Sequence, residues 1–112
     1  MNTDFEILQV TKSFIEVNLL GEKTHIDKGY LRWALGEVLG WQQGRTNFTA
    51  KLMALIAKAD NDNKKKIAKG FAEEVFAYFL WYHKEGLINN EKSENYIENL
   101  REWLEDSMKD KE

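Results

Sequence analysis

Apolar residues recur along the start of the chain at Ile7, Val10, Phe14 and Val17, flanked by Leu8, Ile15 and Leu19. The spacing follows a 3.6-residue period, and Thr3-Asp4-Phe5-Glu6 has the form of a capping box. The pattern therefore predicts a helix that stops at Gly21 as its C′ residue. The alternation in "SFIEVNLL" offers a strand over part of the same stretch but accounts for fewer of its positions. A second helix is predicted from about Lys28 to Gln43, capped by Asp27, stapled by Ile26 against Leu31, with Leu31, Leu35, Val38 and Leu39 as its core face.

Thr46 or Asn47 then caps a third helix with Phe48, Leu52, Leu55, Ile56 and Ala59 on one apolar face. "DNDN" at 60–63 reads as a turn, followed by a short helix through "KKKIAK" to Gly70. The next helix opens at Phe71-Ala72-Glu73-Glu74, where two acids suit a positive helix end, and carries Val75, Tyr78, Phe79 and Tyr82 to a stop at Gly86. A last helix opens at Asn89 or Asn90 and buries Tyr96, Ile97, Leu100, Trp103, Leu104 and Met108. The expected fold class is all-α, a single-domain helical bundle over 1–112 of long helices plus one short helix.

Within the second helix Gly29, Trp33, Gly36 and Gly40 are spaced by four, three and four, which aligns them on one stripe. An interior glycine costs a helix roughly 0.5–1 kcal/mol relative to alanine, so such a stripe implies that something comes close to the backbone there. Two occupants fit, another helix of the same bundle or an external protein partner for which Trp33 supplies a flat contact. Gly29, Trp33, Gly36 and Gly40 are accordingly the candidate protein-binding residues.

Charge changes the picture more than composition does. The net charge of −3 over 112 residues divides into −2 over residues 1–40, +5 over 41–70 and −6 over 71–112. The basic island holds Arg45, Lys51, Lys58, Lys64, Lys65, Lys66 and Lys69, with Trp41 and Phe48 nearby, the residue types that track a nucleic-acid backbone. An isoelectric point near 5.5 and a single arginine in the strip favour a solvated basic face instead.

Catalytic and metal chemistry finds little support. His25 and His83 stand far apart without a second histidine at ligand spacing, and the chain has no cysteine. Asp60 and Asp62 start like a calcium loop, but Lys64, Lys65 and Phe71 occupy the positions that need a ligand, a glycine and a bidentate acid. Glu73 and Glu74 point about 100° apart on a helix and make a poor acid/base pair. No metal, no cofactor and no enzymatic activity are expected. "MNTDFEILQV" lacks the basic start of a secretory signal, and no apolar run reaches membrane-spanning length, which sets the expectation of a cytoplasmic protein.

Residues 44–81, "GRTNFTAKLMALIAKADNDNKKKIAKGFAEEVFAYFLW", resemble a recurring segment of small uncharacterised phage and prophage proteins. The shared pattern falls on Asn47 to Leu52, Leu55 to Asp60, Asn63, Gly70 to Val75 and Trp81, with Ala72 where the pattern has proline in the first turn of a helix. The resemblance implies phage origin and helical structure, and no activity. With the missing catalytic constellation, 12% aromatic residues and segregated charge, it sets the leading expectation. The chain is read as a non-enzymatic, phage-derived protein-binding module, an inhibitor of a host defence system of the anti-CRISPR kind. It would dock on a host or phage protein, with a homodimer also open, and not on a membrane. The alternative is a nucleic-acid-associated accessory protein of phage replication using the strip 45–69.

Overall fold

The structure is a computed structural model that describes residues 3–84, 87–88 and 95–109. Strands β1 (Phe5–Val10), β2 (Phe14–Leu19) and β3 (Glu22–Asp27) form an antiparallel meander in the order β1-β2-β3. Five helices follow, α1 (Lys28–Gln42), α2 (Phe48–Lys58), α3 (Asn61–Gly70), α4 (Ala72–His83) and α5 (Tyr96–Met108). The all-α expectation is thereby overturned, because the fold is α+β.

The correction falls on residues 3–21. Ile15, Val17 and Leu19 alternate inward with half-buried Phe14, Glu16 and Asn18, and Ile26 and Phe5 join them in the core. The helical period at Ile7, Val10, Phe14 and Val17 arises from two strands, a turn and an irregularity. The β1–β2 register shifts between Ile7 and Gln9, leaving Leu8 as the extra residue, and both Leu8 and Val10 end exposed. Thr11 closes the first turn, its hydroxyl donating to the Phe14 carbonyl and accepting from the Phe14 N–H. Gly21 stops no helix. Leu20 and Gly21 form the two-residue β2–β3 turn with φ of 52° and 88°, the positive pair that a type I′ hairpin requires. Leu20 is held in that conformation by burial and by its N–H, which donates to the Asp4 carbonyl at 2.8 Å.

Helices α1, α2 and α3 start at side-chain caps. Asp27 accepts from the Tyr30 N–H at 2.7 Å and Asn47 from the Ala50 N–H at 3.1 Å. Asp60 accepts from the Asn63 N–H at 2.9 Å, so 61–63 are the first turn of α3 and not a loop. Helix α4 is the central helix, buried from Glu74 through Leu80. Its C-cap Lys84 adopts the left-handed conformation, and the stop expected at Gly86 lies outside the described residues. So do Asn89 and Asn90; α5 is described from Tyr96 and packs Ile97, Leu100 and Leu104 inward. Trp103 and Met108, expected to be buried, are half-buried.

Helix α1 lies against α4, α5 and α2, and the sheet meets the helices through β3 and Phe5. Phe5 sets its ring edge-on to Phe76 at 5.2 Å. His83 Nε2 is hydrogen-bonded to Asp4 Oδ2 at 2.7 Å, tying the end of α4 to the start of β1. Among the described residues no helix is long and apolar enough to cross a membrane.

Candidate docking site

Helix α2 carries more apolar side chains than the core can take. Thr49, Ala50, Leu52, Met53 and Ile56 face inward, while Phe48 and Leu55, seven residues apart, remain 69% and 55% exposed. Seven residues are about two turns, so the two side chains stand on one ridge about 10.5 Å apart along the axis. Helix α3, which runs beside this ridge, contributes only Ile67 and Ala68 as apolar residues and buries none of its own. It cannot cover α2.

The result is an open groove of about 390 Å³ with Phe48 and Leu55 as walls and Leu52, Ile67 and Phe71 as floor. The Phe48 and Phe71 rings lie 6.1 Å apart at one end. Toward the other end the groove continues past Leu55 and Ile67 into a second hollow of about 400 Å³ reaching Ala59. Lysines stand along its length, Lys51 and Lys66 beside the first part, Lys58 and Lys66 beside the second. Among the described residues Lys51, Lys58 and Lys66 enter no ion pair.

The structure thereby divides the basic strip. Arg45 turns away to Glu37, with Nη1 3.5 Å from Oε2. Lys64 donates to the Ala59 carbonyl at 2.6 Å, closing the α2–α3 turn. Lys65 and Lys69 stand exposed outside the groove. Seven cations gathered within residues 45–69 of the sequence take four different settings in space.

The glycine stripe is covered from within the chain at two points. A side chain at Gly36 would meet the Arg101 guanidinium at 3.2 Å, and one at Gly40 would meet Arg45 Cδ at 2.8 Å. Arg101 is fixed there by its Nε–H, which donates to the Arg32 carbonyl at 3.2 Å. At Gly36 and Gly40 the close approach to the helix backbone is made by arginine side chains of the same chain. At Gly29 the nearest group is the cap, Asp27 Oδ1 at 3.3 Å. Trp33 remains 44% exposed, edge-on to Tyr30 at 5.1 Å.

Next to that pair sits a buried carboxylate. Glu74 is 2% exposed, and its Oε2 accepts from the Tyr30 hydroxyl at 2.9 Å while Oε1 has no partner among the described residues. Burial pushes the Glu74 carboxyl above its ordinary range, and the hydrogen bond to Glu74, with burial after it, pushes the Tyr30 hydroxyl up. Neighbouring Glu73 instead accepts from the Asp27 N–H, at 3.0 Å. Lys28 is likewise buried, with Nζ donating to Ser107 Oγ at 2.9 Å and lying 5.1 Å from the centre of the Trp103 ring, and burial holds its ammonium below the ordinary lysine range. These groups join β3, α1, α4 and α5. Among the described residues no three histidine or acidic side chains cluster as a metal ion requires.

The sequence contains the sign of the α2–α3 groove, although periodicity alone assigns Phe48 and Leu55 to a buried face. An apolar face reaching from Phe48 to Ala59, followed by a helix reading "NDNKKKIAKG", has nothing adjacent in the chain to cover it. Comparison with protein-family models, with curated proteins and with solved structures finds no match to this chain.

Proposed function

We propose that the chain is a non-enzymatic protein-docking module that seats its partner in the α2–α3 groove. The observation carrying this reading is the juxtaposition of exposed Phe48 and Leu55 with Lys51, Lys58 and Lys66, which enter no ion pair among the described residues, around one continuous apolar channel. Full burial of a phenylalanine or leucine side chain is worth about 1.5–3 kcal/mol, so covering these two walls supplies a driving force that the fold leaves unused. A site of this kind binds; it holds no nucleophile with an adjacent base and no acid/base pair. The resemblance of residues 44–81 to small phage and prophage proteins supports, by analogy with phage-borne inhibitors, the reading of the module as one that docks on a host defence protein.

The nucleic-acid alternative draws on the same lysines. The division of the strip argues against it, since Arg45 and Lys64 are engaged elsewhere and the surface between the remaining lysines is hydrocarbon. Capture of the tagged protein from infected bacterial cells, with half the lysate treated with nuclease, separates the two. The docking reading expects a protein retained after nuclease and lost with Leu55→Asp, a change at an exposed position that leaves the helical circular dichroism intact. Recovery of nucleic acid alone, or a captured protein indifferent to Leu55→Asp, would contradict it.

A further inference from the structure

We infer that the occupant of the α2–α3 groove is an acidic amphipathic helix of another protein, its apolar edge between Phe48 and Leu55 and its carboxylates on Lys51, Lys58 and Lys66. The inference rests on the docking reading and adds the chemistry and conformation of the partner. Conformation follows from what lines the groove. Both flanking elements are helices whose main-chain groups bond internally, so the groove presents side chains and no strand edge. An extended peptide laid over Leu52, Ile67 and Phe71 would bury N–H and C=O groups with no partner, whereas a helix satisfies its own. The walls also match a helix in pitch. Phe48 and Leu55 repeat at seven residues, the spacing at which an incoming helix presents i, i+4 and i+7 anchors, and α2 is about 16 Å long, room for three turns.

Charge follows from the rim. Three lysines without carboxylate partners among the described residues border the two parts of the groove, with Lys66 common to both. A partner bearing carboxylates on both sides of its apolar stripe meets them, and a basic one is repelled. The same rim disfavours a symmetric dimer through this surface, because a two-fold axis brings the lysine rims of the two copies together. The chain's own acidic amphipathic helix, α5, is already committed, with Ile97, Leu100 and Leu104 in the core.

The test uses the full chain and a set of synthetic helical peptides with leucine, isoleucine or phenylalanine at i, i+4 and i+7. Each is made with glutamate flanks, with lysine flanks, and with glutamate flanks plus a central proline, and binding is read by fluorescence anisotropy. The glutamate peptides are expected to bind saturably, and the lysine peptides at least about tenfold more weakly, a difference of about 1.4 kcal/mol. The proline peptides are expected to lose binding. Lys51→Glu/Lys58→Glu/Lys66→Glu, three exposed changes, reverses the preference for charge while the circular dichroism stays unchanged. Failure of every glutamate peptide to bind, equal binding of both signs, or binding indifferent to proline overturns the inference. Stronger binding of single-stranded oligonucleotides with the same lysine dependence also overturns it and gives the rim to phosphate. If a protein is captured through Leu55 while every peptide fails, the partner's nature is wrong and docking stands; capture indifferent to Leu55 removes both.

Discussion

Glu74 is a carboxylate held almost entirely out of water, its Oε2 accepting from the Tyr30 hydroxyl and its Oε1 without a side-chain partner among the described residues. Its folded-state proton is bound more tightly than in the unfolded chain, so it favours folding below its ordinary value of 4.5, and that contribution is lost as the pH rises through the raised folded value. Glu74→Gln keeps an acceptor for Tyr30 and removes the buried charge. Thermal denaturation at neutral pH should therefore give a higher midpoint than wild type, with a flatter decline from pH 4.5 upward. An unchanged slope would show that the carboxylate has no part in it. The arginine-covered glycines give a second contrast at this scale. Arg45 is more than half exposed and can swing off Gly40, so Gly40→Ala should melt at or above wild type, with up to about 1 kcal/mol of helix propensity gained. Arg101 is anchored on the Arg32 carbonyl, and Gly36→Leu should cost about 1–3 kcal/mol by overpacking. Denaturant titration of the two variants checks both signs.

At the scale of elements, helix starts were legible because a cap is a local, chemically specific device. Asp27 and Asn47 cap as their side chains dictate, and Glu73-Glu74 open α4. Replacing Asn47 with alanine should lower stability by about 1 kcal/mol in an equilibrium melt. The strands were not legible, because period counting assumes one uninterrupted element. A register irregularity at Leu8 and a turn at Thr11–Ser13 rephased two short alternations into an apparent 3.6-residue repeat. Gly21 compounded this, since a left-handed glycine serves a helix C′ and a type I′ turn equally well. The hairpin makes its own prediction. Gly21→Ala introduces a side chain at φ of 88° with open space around it, so the cost is conformational, about 1–2 kcal/mol. A variant as stable as wild type would mean that the β2–β3 turn does not need its positive φ. The groove lay between these cases, visible in the unmatched widths of two neighbouring apolar faces but not in the periodicity of either one.

Over the whole molecule, a chain of net charge −3 carries its net positive charge in residues 41–70, and folding sets three of the seven cations there at the border of an apolar groove. The rest cap a turn, pair with Glu37 or stand in solvent. This separation predicts a bipartite response of binding to conditions. Raising salt should weaken association through the exposed lysines, chiefly by slowing it, yet leave a residual affinity set by Phe48 and Leu55. Binding abolished by salt alone would point to a purely ionic contact. The glycine stripe, occupied at Gly36 and Gly40 by the chain's own arginines, leaves Trp33 and Tyr30 beside it as one competing exposed aromatic surface, with Tyr82 exposed separately on α4. The most direct measurement places a photo-crosslinking amino acid at Leu55 in one variant and at Trp33 in another and maps the protein adducts formed in infected cells. The account predicts a discrete adduct from position 55, insensitive to nuclease and suppressed by Lys51→Glu/Lys58→Glu/Lys66→Glu, with none from position 33. The same adduct from position 33 alone would contradict it.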